Sequence, residues 1–179
     1  FVVGSTYWNM AYGRLPGEVE GIFAGEESFN SNVVSLASYS FGQTFKTTPI
    51  QQITAVCAVA NGGYMVTPHV VESLLDDQGN VVVSYADKTA KRQIISEEVG
   101  KELAEILAEG VISGVAKNAY VAGYNVAAKT GTSQLGEDKT NNAIFMCYAP
   151  FDDPEIAIAI VVERGQSGAN LSKMARNVL

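Results

Sequence analysis

The chain has 179 residues, enough for one domain with a buried core and no need of disulfide or metal support. Hydrophobic residues make up 47% of the sequence and charged residues 17%, a composition that excludes intrinsic disorder. The formal charge of -7 argues against nucleic-acid binding and against a basic membrane-binding face. No apolar run approaches the length of a membrane-spanning helix. Because the sequence begins without Met, inside an apolar run, we expect it to be a piece of a longer protein.

The first 46 residues are rich in Gly, Ser, Asn and aromatic side chains, and we expect them to be mostly irregular. The letters Leu-Pro-Gly-Glu at 15–18 predict a turn, and short helical pieces are expected around residues 31–40. We expect the aromatic side chains of Tyr7, Trp8 and Tyr12 to pack locally.

Residues 48–61 carry the clearest helix pattern in the sequence. Thr48 can cap the helix, Pro49 suits its first position, and Gln51 completes a capping box. The Asn-Gly-Gly sequence at 61–63 predicts its end. The apolar residues recur at helical spacing, which predicts a core element packed through Ile50, Ile53, Val56, Cys57 and Ala60.

A hairpin and a second helix are predicted next. Two β-rich runs at 70–75 and 81–85 flank the polar residues 76–80, which is typical of a β-hairpin. A helix is then predicted over 97–112, with Ser96 as its cap. We expect its buried stripe to consist of Val99, Leu103, Ile106 and Leu107.

Three strands and a terminal helix complete the predicted elements. The strands are expected at 126–132, 143–149 and 155–163, the last with apolar residues on both faces and therefore covered on both sides. Asp152 and Asp153 mark the turn between the last two strands. The helix is expected over 168–179 and packs through Leu171, Met174, Ala175 and Val178.

Few residues suggest thiol or metal chemistry. Cys57 and Cys147 both lie in apolar runs, so we interpret them as buried structural thiols. The single histidine, His69, is expected to be a partly exposed structural residue. Without a Cys/His cluster there is no ligand set for zinc, and we predict no metal and no cofactor.

The most informative segment is Lys129, Thr130, Gly131 and Thr132, which follows a small apolar strand. Lys129 supplies a positive charge, and the two threonine hydroxyls can donate hydrogen bonds to carboxylate oxygens. Gly131 has no side chain, so another backbone can lie close to the strand and extend the sheet. The backbone N–H of Thr132 can point at a developing oxyanion. These residue types suit the binding of a peptide that ends in a carboxylate. Taken alone, however, Lys-Thr-Gly recurs easily by chance and is more typical of a sheet edge with solvated Lys and Thr side chains.

The order of several segments resembles the C-terminal half of the transpeptidase domain of class B penicillin-binding proteins. The matching blocks are Leu-Pro-Gly-Glu at 15–18, Ser-Phe-Gly-Gln at 40–43, Thr-Pro-Ile-Gln-Gln at 48–52, Ala-Asn-Gly-Gly at 60–63, Val-Thr-Pro-His at 66–69, Ala-Ala-Lys-Thr-Gly-Thr-Ser-Gln at 127–134 and Phe-Met-Cys-Tyr-Ala-Pro at 145–150. The resemblance covers residues 12 to 170, nearly the whole chain. Lys-Thr-Gly is a known motif of this enzyme group.

The resemblance implies an α+β fold in which an antiparallel sheet is flanked by helices, with residues 1–179 as the C-terminal part of one transpeptidase domain. It implies a serine acyl-transfer enzyme that cross-links peptidoglycan stem peptides and is acylated by β-lactams. Lys129 and Thr132 then take the catalytic positions, and Thr130, Gly131, Thr132 and Gln134 bind the substrate. It also implies a place on the outer face of a bacterial plasma membrane, an anchoring helix outside this chain, and other cell-wall synthesis proteins as partners.

The family's nucleophile is missing from the sequence. No Lys is preceded three positions earlier by Ser, so no Ser-x-x-Lys motif occurs. The second family motif, Ser-x-Asn, has only weak counterparts: Ser28-Phe29-Asn30, and a looser one at 7–9, both interpreted as loop residues. We therefore predict that this polypeptide alone is inactive. We also predict an exposed apolar surface that binds the missing half of the domain or a second copy.

Two other classes of protein remain open at this point. One is a β-lactam sensor or β-lactamase-like protein with the same fold, against which the segments at 15–18 and 60–63 argue. The other is a non-catalytic binding module that naturally lacks Ser-x-x-Lys. The sequence encoded upstream would distinguish these alternatives from a transpeptidase.

Overall fold

The computed structural model describes residues 19–85, 92–135 and 140–179. The turn predicted at 15–18, the aromatic residues Tyr7, Trp8 and Tyr12, and the weak Ser-x-Asn counterpart at 7–9 lie outside the described residues. The chain divides into two compact units, one of residues 1–51 and 66–92, the other of residues 52–65 and 93–179. Within the described residues, no helix combines the length and the hydrophobicity that crossing a bilayer requires.

The first unit contains short elements. Helix α1 spans Glu26–Asn30 and helix α2 spans Val33–Ser40, so the helical pieces expected around 31–40 are confirmed. The side chain of Asn32 caps α2 by accepting hydrogen bonds from the N–H groups of Val34 and Ser35. The Ser28-Phe29-Asn30 segment lies in α1, so its interpretation as a loop is wrong.

The predicted hairpin is present in the first unit but is shorter than expected. Strands β2 (Ser73–Leu75) and β3 (Val81–Ser84) pair antiparallel, with Leu74 opposite Val83. The turn is closed by the Asp76 carboxylate, which accepts hydrogen bonds from the backbone N–H groups of Gln78 and Asn80 and from the Asn80 side chain. The hydrogen bonds from Asn80 lower the pKa of Asp76.

Helix α3 spans Pro49–Ala60 and begins with the predicted capping box. The Thr48 N–H donates to Gln51 Oε1 at 2.9 Å, and the Gln51 N–H donates to Thr48 Oγ1 at 3.3 Å. The helix ends at Ala60. After Asn61, Gly62 and Gly63 have φ of +76° and +91°, the left-handed geometry expected there. The predicted stripe is only partly correct, because the buried residues of the helix are Gln51, Thr54 and Ala58.

Two short strands precede the second predicted helix in the chain. Strands β1 (Tyr64–Met65) and β4 (Arg92–Gln93) are two residues long each. Helix α4 spans Glu97–Ile112 as predicted, and the Ser96 hydroxyl caps it by accepting a hydrogen bond from the Val99 N–H at 3.3 Å. A single 3-10 turn follows at Lys117–Ala119.

The sheet of the second unit has the order β5-β6-β7, with both pairs antiparallel. Its strands are β5 (Ala127–Leu135), β6 (Thr140–Ala149) and β7 (Ile156–Gly165), each somewhat longer than predicted. Helix α5 spans Gly168–Arg176 and is capped by the Ser167 side chain. The antiparallel sheet and its helices confirm the expected α+β fold.

Two hydrophobic clusters lie on opposite faces of this sheet. One contains Phe145 and Cys147 with Leu171 and Ala175 of α5, and the other contains Tyr148 with Ala104 of α4 and Ala127. The expectation that β7 is covered on both faces is met only in part. Ile158 and Ile160 pack against the first cluster and Ala157 against the second, but Ile156, Val161 and Val162 remain exposed.

The predicted buried stripes of α4 and α5 are only partly correct, because half of the predicted residues are exposed. The buried residues of α4 are Gly100, Ala104, Ala108 and Val111, whereas Val99 and Ile106 are exposed. In α5 the predicted Leu171 and Ala175 are buried, together with Gly168 and Ser172, whereas Met174 and Val178 are exposed. Hydrophobic spacing predicts that the large side chains are the buried ones. These helices pack mostly through small residues instead, because a small side chain lets the helix axis come close to the sheet.

Candidate functional site

The Lys-Thr-Gly-Thr segment lies on an edge strand. Strand β5 pairs with β6 along its whole length, with Lys129 opposite Met146 and Gly131 opposite Ile144. Its other edge has no strand partner among the described residues. The backbone groups on that edge can therefore receive an added strand from a ligand, the mode of binding that the sequence predicts.

Strand alternation places the charged and the hydroxyl side chains on opposite faces of the sheet. Ala128 belongs to the cluster under α5 and Ala127 to the cluster under α4, so the two faces are identified by their packing. Thr130 and Thr132 then share the α5 face, and Lys129 shares the α4 face. A ligand that contacts all three side chains has to lie along the outer edge of β5, because neither face presents them together.

Lys129 is an exposed cation on this strand. Its Nζ donates a hydrogen bond to the carbonyl oxygen of Thr130 at 2.7 Å, so the side chain folds back along its own strand. No carboxylate lies within ion-pair distance of it in the described part of the chain. An ammonium group has two further donor hydrogens, which leaves Lys129 able to bind an anion at the strand edge.

Thr132 is tied to the start of the terminal helix. Its Oγ1 accepts a hydrogen bond from the N–H of Gly168 at 3.3 Å, a contact between residues 36 positions apart. The hydroxyl hydrogen of Thr132 is still available to donate to a ligand, because the contact uses only an oxygen lone pair. The exposed Gln134 follows two positions later on the same strand.

Gly168 is a site residue that the sequence analysis missed. A Cβ on Gly168 would overlap the carbonyl oxygens of Gly131 and Ile144 and would lie 2.8 Å from the Gly131 nitrogen. The backbone that comes close to Gly131 in this structure is therefore that of helix α5. The only sequence signal was a Gly following Ser167 at a helix start, and nothing in that pattern indicates contact with a strand so far upstream.

Burial suppresses the acidity of two groups beside the strand. Cys147 is 1% exposed, and desolvation raises the pKa of its thiol to about 11. The pKa of the Tyr148 hydroxyl is raised for the same reason, and that hydroxyl is buried with no hydrogen-bond partner among residues 19–85, 92–135 and 140–179. Cys57 is half-buried, and its pKa is also raised by desolvation. Both cysteines are free thiols, and the protonated, buried Cys147 fits its predicted structural role.

The remaining predicted residues lie away from β5. His69 is exposed in the first unit, with its Nδ1 3.4 Å from the Thr67 carbonyl oxygen. Asp152 accepts a hydrogen bond from the Asn125 side chain at 3.1 Å, in an exposed turn. Among the described residues, no three His, Cys, Asp or Glu side chains are placed to hold a metal ion.

Comparison with known proteins gives a consistent family match. The family described as "Penicillin binding protein transpeptidase domain" matches residues 5–179. Stage V sporulation protein D of Bacillus subtilis is 38% identical over 154 residues, which is 83% of this chain and 24% of that protein. Peptidoglycan D,D-transpeptidase MrdA of Acinetobacter baumannii is 29% identical, over 92% of this chain and 27% of its own length. The chain thus spans about a quarter of these relatives.

Solved structures show the same fold. The D,D-transpeptidase domain of a peptidoglycan glycosyltransferase from Eggerthella lenta matches 89% of this chain and 41% of its own, with a TM-score of 0.76 and 24% identity. Penicillin-binding protein A from M. tuberculosis, solved as a ceftriaxone acyl-enzyme complex, matches 82% of this chain and 35% of its own. Its TM-score is 0.72 and its identity 26%.

Proposed function

Because this chain belongs to the penicillin-binding-protein transpeptidase family, we propose that it supplies the substrate-holding part of a peptidoglycan D,D-transpeptidase. The observation that carries the proposal is the exposed Lys129 on the outer edge of β5, beside Thr130, Gly131 and Thr132, with neither a carboxylate nor a further strand next to it among the described residues. Several of the relatives found are named peptidoglycan D,D-transpeptidases, which supports this choice of reaction.

The substrate is a peptidoglycan stem peptide that lies along the outer edge of β5. Its terminal carboxylate is held by the Lys129 ammonium and by the hydroxyl groups of Thr130 and Thr132. Backbone hydrogen bonds to the strand edge fix the peptide's direction, and Gln134 lies beside its far end. An edge-bound peptide is the arrangement that reaches side chains on both faces of the sheet.

The reaction is a serine acyl transfer in two steps. A serine hydroxyl attacks the carbonyl carbon of the penultimate D-Ala, an ester forms, and the terminal D-Ala leaves. An amine from a neighbouring stem peptide then attacks the ester, which forms the cross-link and frees the serine. The Thr132 N–H stabilises the oxyanion of each tetrahedral intermediate, and Lys129 stabilises charge near the scissile bond. A β-lactam acylates the same serine, as in the ceftriaxone acyl-enzyme of the M. tuberculosis protein.

The serine belongs to a segment outside these 179 residues, because the sequence has no Ser-x-x-Lys motif. The chain alone then binds substrate weakly and forms no acyl-enzyme. The complete enzyme acts on the outer face of the bacterial plasma membrane, held by a membrane anchor, with the N-terminal part of the domain and other cell-wall synthesis proteins as partners.

Binding to the strand edge is tested by NMR titration of the 179-residue chain with a peptide ending in D-Ala-D-Ala. We expect shifts in the amides of β5 and millimolar affinity. Lys129→Ala should weaken binding at least about fivefold, an effect of roughly 1 kcal/mol. Lys101→Ala removes an equally exposed charge from α4 and serves as the matched control.

The same peptide with an amidated C-terminus should bind much more weakly, because its carboxylate charge is gone. Equal binding of the acid and the amide would show that Lys129 does not recognise a carboxylate. Intact-mass measurement after incubation with penicillin should show no adduct on this chain. An added mass of one β-lactam would contradict the proposed absence of a nucleophile.

A further inference from the structure

The outer side of α4 carries an apolar stripe that the described part of the chain leaves open. Val99 is 38% exposed and Ile106 is 66% exposed, with the half-buried Leu103 between them at helical spacing. The side of α4 that packs on the sheet is a different one, formed by small residues. An exposed apolar stripe on a helix that is already packed on its other side is typical of an interaction surface.

The stripe has an acidic border. At 100° per residue, four glutamates fall next to Ile106 on the solvent side of the helix: Glu98, Glu102, Glu105 and Glu109. All four are exposed, and none has an ion-pair partner among the described residues. Glu109 accepts a hydrogen bond from the Ser113 hydroxyl at 2.7 Å. A complementary surface would therefore be an apolar side of a helix with positively charged side chains next to it.

Helix α5 of the same unit offers that chemistry. Met174 is 51% exposed, and Val178, just past the helix end, is 63% exposed. Lys173 and Arg176 lie in the last turn, exposed and without a carboxylate partner in the described residues. Helix α5 itself contains no Asp or Glu, so its charged side chains are all positive.

We propose that the chain self-associates head to tail, with the acidic stripe of α4 in one copy packed on the basic end of α5 in the next. The two surfaces differ, so the contact is heterologous, and each added copy leaves one surface of each kind free. Short open chains are expected rather than a closed dimer.

The contact is small and electrostatic. The nine residues of α5 extend over about 13 Å, which keeps the buried area below about 1,000 Å². We expect weak association, with a dissociation constant of about 0.1 mM, as for small transient contacts. Because the charges are exposed, association should disappear at about 0.5 M salt.

Sedimentation velocity of the 179-residue chain at low salt tests the contact. The weight-average mass should rise above that of the monomer between about 0.02 and 1 mM and fall back at about 0.5 M salt. Charge reversal on either side, by E102K with E105K or by K173E with R176E, should leave each variant monomeric. The first pair cancels the net negative charge of the four glutamates, and the second makes both surfaces negative. An equimolar mixture of the two variants should associate again, since the first variant keeps the basic end of α5 and the second keeps the acidic stripe of α4.

The control is D153K with E155K, which makes the same charge change in the exposed turn before β7 and should leave association intact. Ile106→Ser removes the apolar part of the stripe without a change of charge and should also give a monomer. Thermal melts followed by circular dichroism verify that every variant is folded. A monomer at 1 mM and low salt, association that survives both reversals, loss of association in the control, or no recovery on mixing would each overturn the proposal.

Discussion

Gly168 shows how much depends on one missing side chain. Its backbone lies directly against Gly131 and Ile144, and its N–H donates to Thr132 Oγ1. The first turn of α5 thus packs against the strand that carries the residues we propose for substrate binding. Lys129 and the threonines could be proposed from the sequence because they form a local motif. Gly168 could not, because its role depends on a contact with a strand that is distant in sequence.

Gly168→Ala should lower the free energy of unfolding by about 3 kcal/mol, because the new methyl group overlaps backbone atoms that cannot move independently. Gly25→Ala is the matched control: no atom lies within 4 Å of a Cβ placed there, and a change of less than about 0.5 kcal/mol is expected. Urea unfolding of both variants checks this. Equal stability of the two variants would mean that α5 does not pack on β5 as described.

At the level of the elements, local signals predicted most of the fold. The Thr48 and Gln51 capping box, the Ser96 cap and the apolar runs that predicted β5 to β7 all lie within a few residues of the structure that they specify. The packed sides of α4 and α5 could not be predicted this way. Hydrophobic spacing identifies where large side chains recur, but the approach distance to a sheet decides whether Ala104 or Ile106 is buried.

The corrected face of α4 predicts an unequal effect of two substitutions. Ala104→Leu should lower the free energy of unfolding by about 2 kcal/mol, since the added carbons push the helix off the sheet. Ile106→Ala should change it by less than about 0.5 kcal/mol, because Ile106 is mostly solvated. Urea unfolding at about 2 µM, far below the expected dissociation constant for self-association, measures both. A larger loss of stability for Ile106→Ala than for Ala104→Leu would instead support the buried stripe that hydrophobic spacing predicted.

In the whole molecule, the buried apolar residues are unevenly distributed. Every buried hydrophobic residue of the described chain belongs to the unit formed by residues 52–65 and 93–179. Helix α2 has no buried residue, and the hairpin leaves Leu75 and Val82 more than half exposed. The two units should therefore differ in local stability.

Hydrogen exchange measured by mass spectrometry tests this difference. The amides of β6 should exchange at least about a hundredfold more slowly than those of α2 and of the hairpin strands β2 and β3, because opening β6 disrupts both hydrophobic clusters. The β5 amides paired with β6 provide an internal reference. Protection of the hairpin equal to that of β6 would show that the first unit has a core of its own.

The close packing of Gly168 behind Gly131 has a consequence for how the edge strand meets a ligand. Because the main chain of α5 packs directly against β5, the backbone of β5 cannot shift when a ligand binds, and the strand edge is already in its binding conformation. Any conformational change on binding is then confined to the ligand. If the ligand is the stem peptide that we propose as substrate, a stem peptide whose covalent structure already favours an extended conformation should lose the least entropy on binding.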